Sequence, residues 1–257
     1  MIGVRLNGGL GNCCFQLATA AALAEAAGEP WAGYGTMPYA EWFPRLRGRI
    51  LPVSVVGGPT LYFKEPHYAF VPPVLSAWTE LDTTLDGYFQ SWRYFAHAQA
   101  RVRELLTPYP VVRRVWPWVV LHVRRGDYLT KPDCHPVLPV AYYRAALEAT
   151  GVPTRTVHAK IVNVVSDDPE WCRANLTPAT LDGWTVRIED GSVIDHLWTM
   201  MRARYLVIAN SSFSWWGAYL AREDQQVYAP APWFGPALPH DTSDLLPTEW
   251  EVVPWQA

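Results

Sequence analysis

"VVLHVRRGDY", Val119–Tyr128, decides the reading of this chain. Val119 to Val123 reads as a continuous apolar strand, and His122, Arg124, Arg125 and Asp127 gather at its end. A strand that is apolar on both faces is covered on both faces, as in a parallel sheet between helices. The pattern continues downstream. Tyr142–Ala149 reads as helix and Ile161–Val165 as a strand ending in Ser166-Asp167-Asp168. Asp195–Arg204 reads as helix, Tyr205–Ala209 as strand, Trp215–Ala221 as helix and Val227–Ala229 as a short last strand. This alternation predicts a doubly wound α/β fold.

The N-terminal half starts with its own strand, turn and helix. Ile2–Leu6 reads as strand, "NGGLGN" (Asn7–Asn12) as a turn and Phe15–Ala27 as a helix stopped by Gly28 and Pro30. Leu85–Phe89 reads as strand and Tyr94–Leu106 has helical spacing. Residues 31–75 are rich in Pro, Gly and aromatics and show no clear period. The expected division is therefore 1–115 and 116–257. Pro108, Pro110 and Pro117 mark 107–118 as a hinge. Two such halves imply a cleft that binds ligands at strand C-termini.

Composition narrows the function. The chain has 257 residues, half of them apolar, enough for a proper core. A net charge of -3 argues against nucleic acid or an anionic membrane as partner. The cysteines, Cys13, Cys14, Cys134 and Cys172, show no CxxC spacing and no disulfide framework, which fits a reducing compartment. No signal-peptide pattern opens the chain, and the apolar stretch Ala18–Ala27 is broken by Glu25 and too short to cross a bilayer. The expectation is a soluble, cytoplasmic protein without a transmembrane segment. The 14 tryptophans serve cores first, and also stack on sugar faces.

Three stretches carry chemistry. Around Gly8, Gly9 and Asn12, a strand, a glycine turn and a helix start present free N–H groups, which suits an anion or a close substrate approach. The turn is not GxGxxG and lacks GK[ST], and it reads equally as a turn needing positive φ. In "LHVRRGDY", adjacent arginines repel unless an anion or a carboxylate lies between them. On a continuing strand they point to opposite faces, so one can grip phosphate while the other holds Asp127 or a second carboxylate. In "ANSSFSWWGAYLA" (Ala209–Ala221), Asn210, Ser211, Ser212 and Ser214 crowd a strand-to-helix turn. Capping needs one serine; the others, with backbone N–H groups, can hold phosphate oxygens. Asp195 opens the preceding helix, where an acid is favourable in any case. Asp167-Asp168 looks like a metal pair, but Pro169 and Glu170 favour a helix start. "DCHP" (Asp133–Pro136) is too compact for zinc, and Cys13 as a helix-start thiol lacks catalytic company.

In these residues the chain resembles the α-1,2-fucosyltransferases of glycosyltransferase family 11. "GGLGN..FQ.A", "GYFQSWRYF" (Gly87–Phe95), "HVRRGDY", "YYRAALE" (Tyr142–Glu148), "VVSDDPEWC", "DHLWTMMRARYLVIANSSFSWWGAYL" (Asp195–Leu220) and "APAPWF" (Ala229–Phe234) follow the family's order along nearly the whole chain. The resemblance implies a GT-B-type fold of two Rossmann-like halves. It implies transfer of L-fucose from GDP-β-L-fucose to the 2-hydroxyl of a glycan, usually a β-galactoside, with inversion and without a metal or other cofactor. Arg124 would meet the β-phosphate, supported by His122 and Arg125. Ser211, Ser212 and Ser214, with the backbone at Phe213, would close on the pyrophosphate. Asp195 would read guanine. Gly8, Gly9 and Asn12 would approach the fucose or the acceptor, and Asp127 would serve as general base or as the holder of Arg125. Where the family has Gln-Met after GGLGN, this chain has Cys13-Cys14, which puts acceptor contacts in question. Two other readings stay open: a different GDP-sugar or acceptor, and an inactive carbohydrate-binding relative.

Overall fold

The computed structural model describes residues 1–53, 60–73, 81–109, 117–152 and 160–255. The chain forms two compact units, Met1–Tyr109 with His240–Pro247, and Pro110–Pro239 with Thr248–Ala257. The division expected at 115/116 places 240–247 in the second half, whereas the structure groups that segment with the first unit. Of the expected hinge, 110–116 lies outside the described residues.

The first unit is a five-stranded parallel sheet. β1 (Ile2–Arg5) leads through the glycine turn into α1 (Leu10–Ala27), then β2 (Trp31–Tyr34), β3 (Ile50–Leu51), β4 (Thr60–Lys64), β5 (Asp82–Asp86) and α2 (Gln99–Leu106). The strand order is β3-β2-β1-β5-β4. Helix α1 starts five residues earlier than the apolar pattern predicts, because Gly9 at its N-cap is extended and Leu10 is already buried. It ends as predicted, at a left-handed Gly28 whose N–H bonds back into the last turn. Helix α1 is buried along most of its length, so its period is hidden by apolar residues on every face.

The second unit is a six-stranded parallel sheet. Its elements are β6 (Val119–Val123), α3 (Val140–Ala149), β7 (Ile161–Ser166), α4 (Pro169–Asn175), β8 (Thr185–Ile188), α5 (Val193–Met201), β9 (Tyr205–Val207), α6 (Ser212–Tyr219), β10 (Gln226–Ala231) and β11 (Glu251–Pro254). The order is β11-β10-β9-β6-β7-β8. All five residues of β6 are buried, as the opening stretch requires. Val119, Leu121 and Val123 join a core that includes Tyr142, Tyr143, Val164, Leu181 and Tyr228.

Each sheet contains one topological switch point. In the second unit, β6 continues outward to β7 and β8, while β9 beside it continues the other way to β10 and β11. In the first unit, the switch lies between β1 and β5. Open α/β sheets bind ligands at the strand C-termini beside such a switch. The Arg124 stretch ends β6 and the Asn210–Ser212 stretch follows β9, so both flank the second switch.

Candidate active site

At the end of β6 the two arginines part as strand geometry demands, but their partners differ from the expected ones. Arg124 ion-pairs with Asp127 at 2.5 Å and with Asp167 at 2.9 Å, and its guanidinium lies over the Tyr128 ring. Arg125 bonds Asp168 at 3.0 Å and stacks 4.1 Å from the centre of the Trp171 ring. Asp127 therefore holds Arg124, not Arg125. Arg125 is mostly buried against α4, where a planar guanidinium bonds along its edge and stacks on its face.

Asp167 and Asp168, which resemble a metal pair in the sequence, form two parts of this clasp. Asp168 caps α4 by accepting from the Trp171 N–H at 3.0 Å. That hydrogen bond, then Arg125, lowers its pKa. Asp167 accepts from the Arg125 backbone N–H at 2.9 Å while its other oxygen holds Arg124. Gly126 permits the approach, because a Cβ there would fall on the Asp167 carboxylate. Among the described residues, no group of three or more His, Cys, Asp or Glu is arranged to hold a metal ion.

His122 is 2% exposed and its Nδ1 has no hydrogen-bond partner among the described residues. Burial, then the charge of Arg124, pushes its pKa down to about 3, so the ring is neutral through the physiological range. It meets Phe213 edge-on across the switch point, with ring centres 5.8 Å apart. A buried nitrogen without a partner is uncommon and calls for a reason.

The serine turn divides by depth. Ser211 is the N-cap of α6 and accepts from the Phe213 N–H at 3.3 Å. Ser214 is fully buried and donates to the carbonyls of Ala209 and Ser211. It is a strut of the turn and does not face a pyrophosphate as expected. Ser212 and Phe213 remain partly exposed at the helix start. Asn210 is buried and its amide donates to Pro136 and Trp233 carbonyls. Tyr128 donates its hydroxyl to the Asn210 carbonyl at 2.8 Å, tying the end of β6 to the turn after β9. The sequence reading assigned no role to Tyr128, although it stands in the motif.

Asp195 is the third residue of α5 and closes a capping box with Ser192. Its Oδ2 accepts from both the N–H and the hydroxyl of Ser192, at 2.9 and 2.8 Å. The carboxylate expected to read guanine thus also has a structural task, that of the helix start.

In the first unit, Gly8 adopts a left-handed φ of 88° and meets the turn's need for glycine. Gly9 faces open space where a Cβ would stand. Asn12 accepts from the Gln90 amide at 3.0 Å, and Gln16 bonds both the Asn7 N–H and the Gly87 carbonyl. The two N-terminal motif blocks are thus tied directly to each other. Cys13 and Cys14 are buried, and desolvation raises both thiols, Cys13 to about 11. Both thiols stay protonated near neutral pH and sit inside the packing of α1.

The sequence reading also missed Glu65. It follows β4, and its Oε2 accepts from the N–H groups of Tyr88 and Phe89 at 2.7 and 2.9 Å. Its Oε1 is buried without a partner among the described residues. Burial raises its pKa, opposed by those two N–H groups and by His67. Phe89, held by this bond, has a left-handed φ of 54°. That conformation is rare for a bulky residue and marks stored strain.

The sequence profile described as Glycosyl transferase family 11 matches residues 82–251, well over half of the chain. The chain belongs to glycosyl transferase family 11. The family 11 match takes in the whole Arg124 clasp and the serine turn. An alpha-1,2-colitosyltransferase of Escherichia coli is 31% identical over 159 residues, a match covering 58% of this chain and 55% of that protein. A galactoside 2-alpha-L-fucosyltransferase of Caenorhabditis elegans is 26% identical, covering 72% of this chain and 57% of that one. The chain spans about half the length of these curated relatives. Among solved structures, the fucosyltransferase NodZ of Bradyrhizobium matches with a TM-score of 0.54 at 14% identity, over 86% of this chain and 93% of that one. That likeness concerns the fold, and agrees with the two parallel α/β sheets. No described helix is long and apolar enough to cross a membrane.

Proposed function

We propose that this chain transfers L-fucose from GDP-β-L-fucose to the 2-hydroxyl of a β-galactoside, with inversion and without a metal. One observation carries the reading: a guanidinium, Arg124, at the switch point of the second sheet, flanked by the Ser212–Phe213 helix start. A diphosphate leaving group needs positive charge and N–H donors placed in advance where its charge grows. Arg124 and the first turn of α6 supply both. His122, buried beside this group and neutral, lines the strand end without adding charge. NodZ, which shares the fold, has been crystallised with GDP.

The Arg124–Asp127 pair gives the reaction its order. Asp127 is 65% exposed and, among the described residues, bonds Arg124 alone with its carboxylate, while Asp167 is anchored to the Arg125 backbone. The incoming β-phosphate takes the place of Asp127 on Arg124. The released carboxylate then accepts the acceptor hydroxyl's proton. The acceptor oxygen bonds to the fucose anomeric carbon as that carbon's bond to phosphate breaks, and the electron pair leaves with GDP.

Steady-state turnover of GDP-fucose with lactose as acceptor tests this. Arg124→Ala is expected to lower kcat/KM by 100-fold or more, on the order of the ~3 kcal/mol lost when one charge-stabilising donor is removed. Asp127→Asn is expected to lower kcat and, because the β-phosphate no longer displaces a carboxylate from Arg124, not to raise the KM for GDP-fucose. Wild-type turnover in either variant overturns the role given to that residue, and loss of activity in EDTA overturns the metal-free account. The similarity to a colitosyltransferase makes a second GDP-sugar a necessary arm. Turnover of GDP-colitose without turnover of GDP-fucose would replace the donor and leave Arg124 its role.

A further inference from the structure

The first sheet has a switch point too, and a cavity lies there. It has a volume of about 260 Å³ and opens at the C-terminal ends of β1, β5 and β4. Its lining includes Asn7, Glu65, Tyr68, Asp86, Tyr88 and His240. Three features describe what would fit it.

The first is its rings. Tyr68 and His240 lie against each other with centres 4.0 Å apart, and Tyr88 meets Tyr68 edge-on at 6.2 Å. His240 is supplied by the C-terminal segment that groups with the first unit. The second is its charge. Arg5, Lys64 and His67 line the same cavity and face Glu65 and Asp86, so neither sign dominates and an anion gains little. The third is its size. The volume falls just below the range of about 300 to 1,000 Å³ usual for drug-sized ligands, which suits a single ring. Polar groups around an apolar ring face are what a neutral pyranose needs: hydroxyls bond outward, and the C–H face stacks on an aromatic.

The loop bearing Tyr88 is held, with strain, by Glu65. Gly87 lets Glu65 in, since a Cβ there would collide with the Glu65 side chain. Strain and a buried orphan oxygen side by side mark a built site more than a stable core.

We infer that this cavity is the subsite for the acceptor's terminal pyranose, with Tyr68 and His240 as its stacking platform, Asp86 as a hydroxyl acceptor and Glu65 as the brace that holds the Tyr88 loop. The inference rests on the transferase reading above and gives it an address for the neutral sugar.

The probe is methyl β-D-galactopyranoside, observed by saturation-transfer NMR on the full chain and, in parallel, as acceptor in turnover with GDP-fucose. Tyr68→Ala and His240→Ala are expected to raise the acceptor KM at least tenfold and to abolish saturation transfer, with the KM for GDP-fucose unchanged. His240→Phe keeps a ring and is expected to restore acceptor binding to near the wild-type value. An acceptor KM unchanged in both alanine variants overturns the inference, as does wild-type protein giving no saturation transfer at all. Should GDP-fucose not be turned over, the functional reading fails by itself. Saturation transfer lost in the alanine variants and regained in His240→Phe then still supports the subsite, and transfer indifferent to all three variants overturns it.

Discussion

The two sheets end in the same device with opposite electrostatics. In each, an acid just beyond one strand reaches across to the neighbouring strand's exit loop and accepts backbone N–H groups there. In the second unit Asp167 follows β7 and takes the N–H of Arg125. In the first, Glu65 follows β4 and takes those of Tyr88 and Phe89. In each, a glycine makes room, Gly126 or Gly87. The difference is the second oxygen. That of Asp167 holds the guanidinium of Arg124, whereas that of Glu65 is buried with no partner among the described residues. One clasp presents positive charge at a switch point, and the other braces an aromatic, charge-balanced cavity. Under the two proposals above, a shared backbone geometry would serve an anionic ligand in one unit and a neutral one in the other.

The glycines offer the sharpest way to break this comparison. At Gly87 the obstruction is the Glu65 Cβ, next to the backbone, so the loop itself must move. Gly87→Ala is expected to cost roughly 1–3 kcal/mol, the usual penalty for forcing atoms into a packed site. Urea denaturation with an unchanged m-value reads it. A variant as stable as wild type would show that the Glu65 clasp is slack, and the parallel would fail.

The next effect separates the clasps by sign. Glu65 is held above its ordinary value of 4.5, burial outweighing its hydrogen bonds. The folded state then keeps a proton that the unfolded state has released, so stability falls as pH rises from 4.5 toward the folded value. In Glu65→Gln that loss disappears, and the variant gains on wild type by up to about 1.4 kcal/mol per pH unit in this window. Asp168 is held below its ordinary 3.8, so its contribution is present at neutral pH and fades as pH falls below that value. Asp168→Asn should therefore lose on wild type at pH 7 and converge with it in acid. Thermal melts across pH 3–8 check both; equal slopes in the two variants would remove the distinction.

How far this was legible in the sequence follows from the range of each interaction. The second unit was readable because β6 and β7 are apolar runs, and its motif groups lie within a few residues of one another. The bounds of β6 agree with the pattern residue for residue. In the first unit, β4 carries exposed residues along an edge of the sheet, and β3 has only two residues, so neither shows a period. Phe89, expected in a strand, instead turns left-handed beyond the end of β5. Glu65 was illegible for a plainer reason: its partners lie 23 and 24 residues away, and one acid among aromatics carries no local signal. Likewise the sequence pairs Asp127 naturally with either arginine. Only the fold brings in Asp167 and Asp168, more than forty residues on, and so decides which arginine each acid holds.

The smallest effect sharpens the comparison most. At Gly126 a new Cβ meets only the far end of the Asp167 side chain, and the next atom is 3.4 Å away. A carboxylate can rotate where a Cβ cannot. Gly126→Ala is therefore expected to cost no more than about 1 kcal/mol, the worth of a partly exposed ion pair. Its consequence lies elsewhere, because the rotation removes Asp167 from Arg124, and the guanidinium loses its anchored partner while keeping the exposed Asp127. Arg124 would then be free to follow Asp127 away from the switch point. The KM for GDP-fucose should rise several-fold while the urea midpoint hardly moves. Gly87→Ala should show the reverse order, a large shift in midpoint and an unchanged donor KM. If Gly126→Ala instead destabilises as much as Gly87→Ala and leaves the donor KM alone, then Asp167 is a structural brace like Glu65, and the two clasps do not differ in kind.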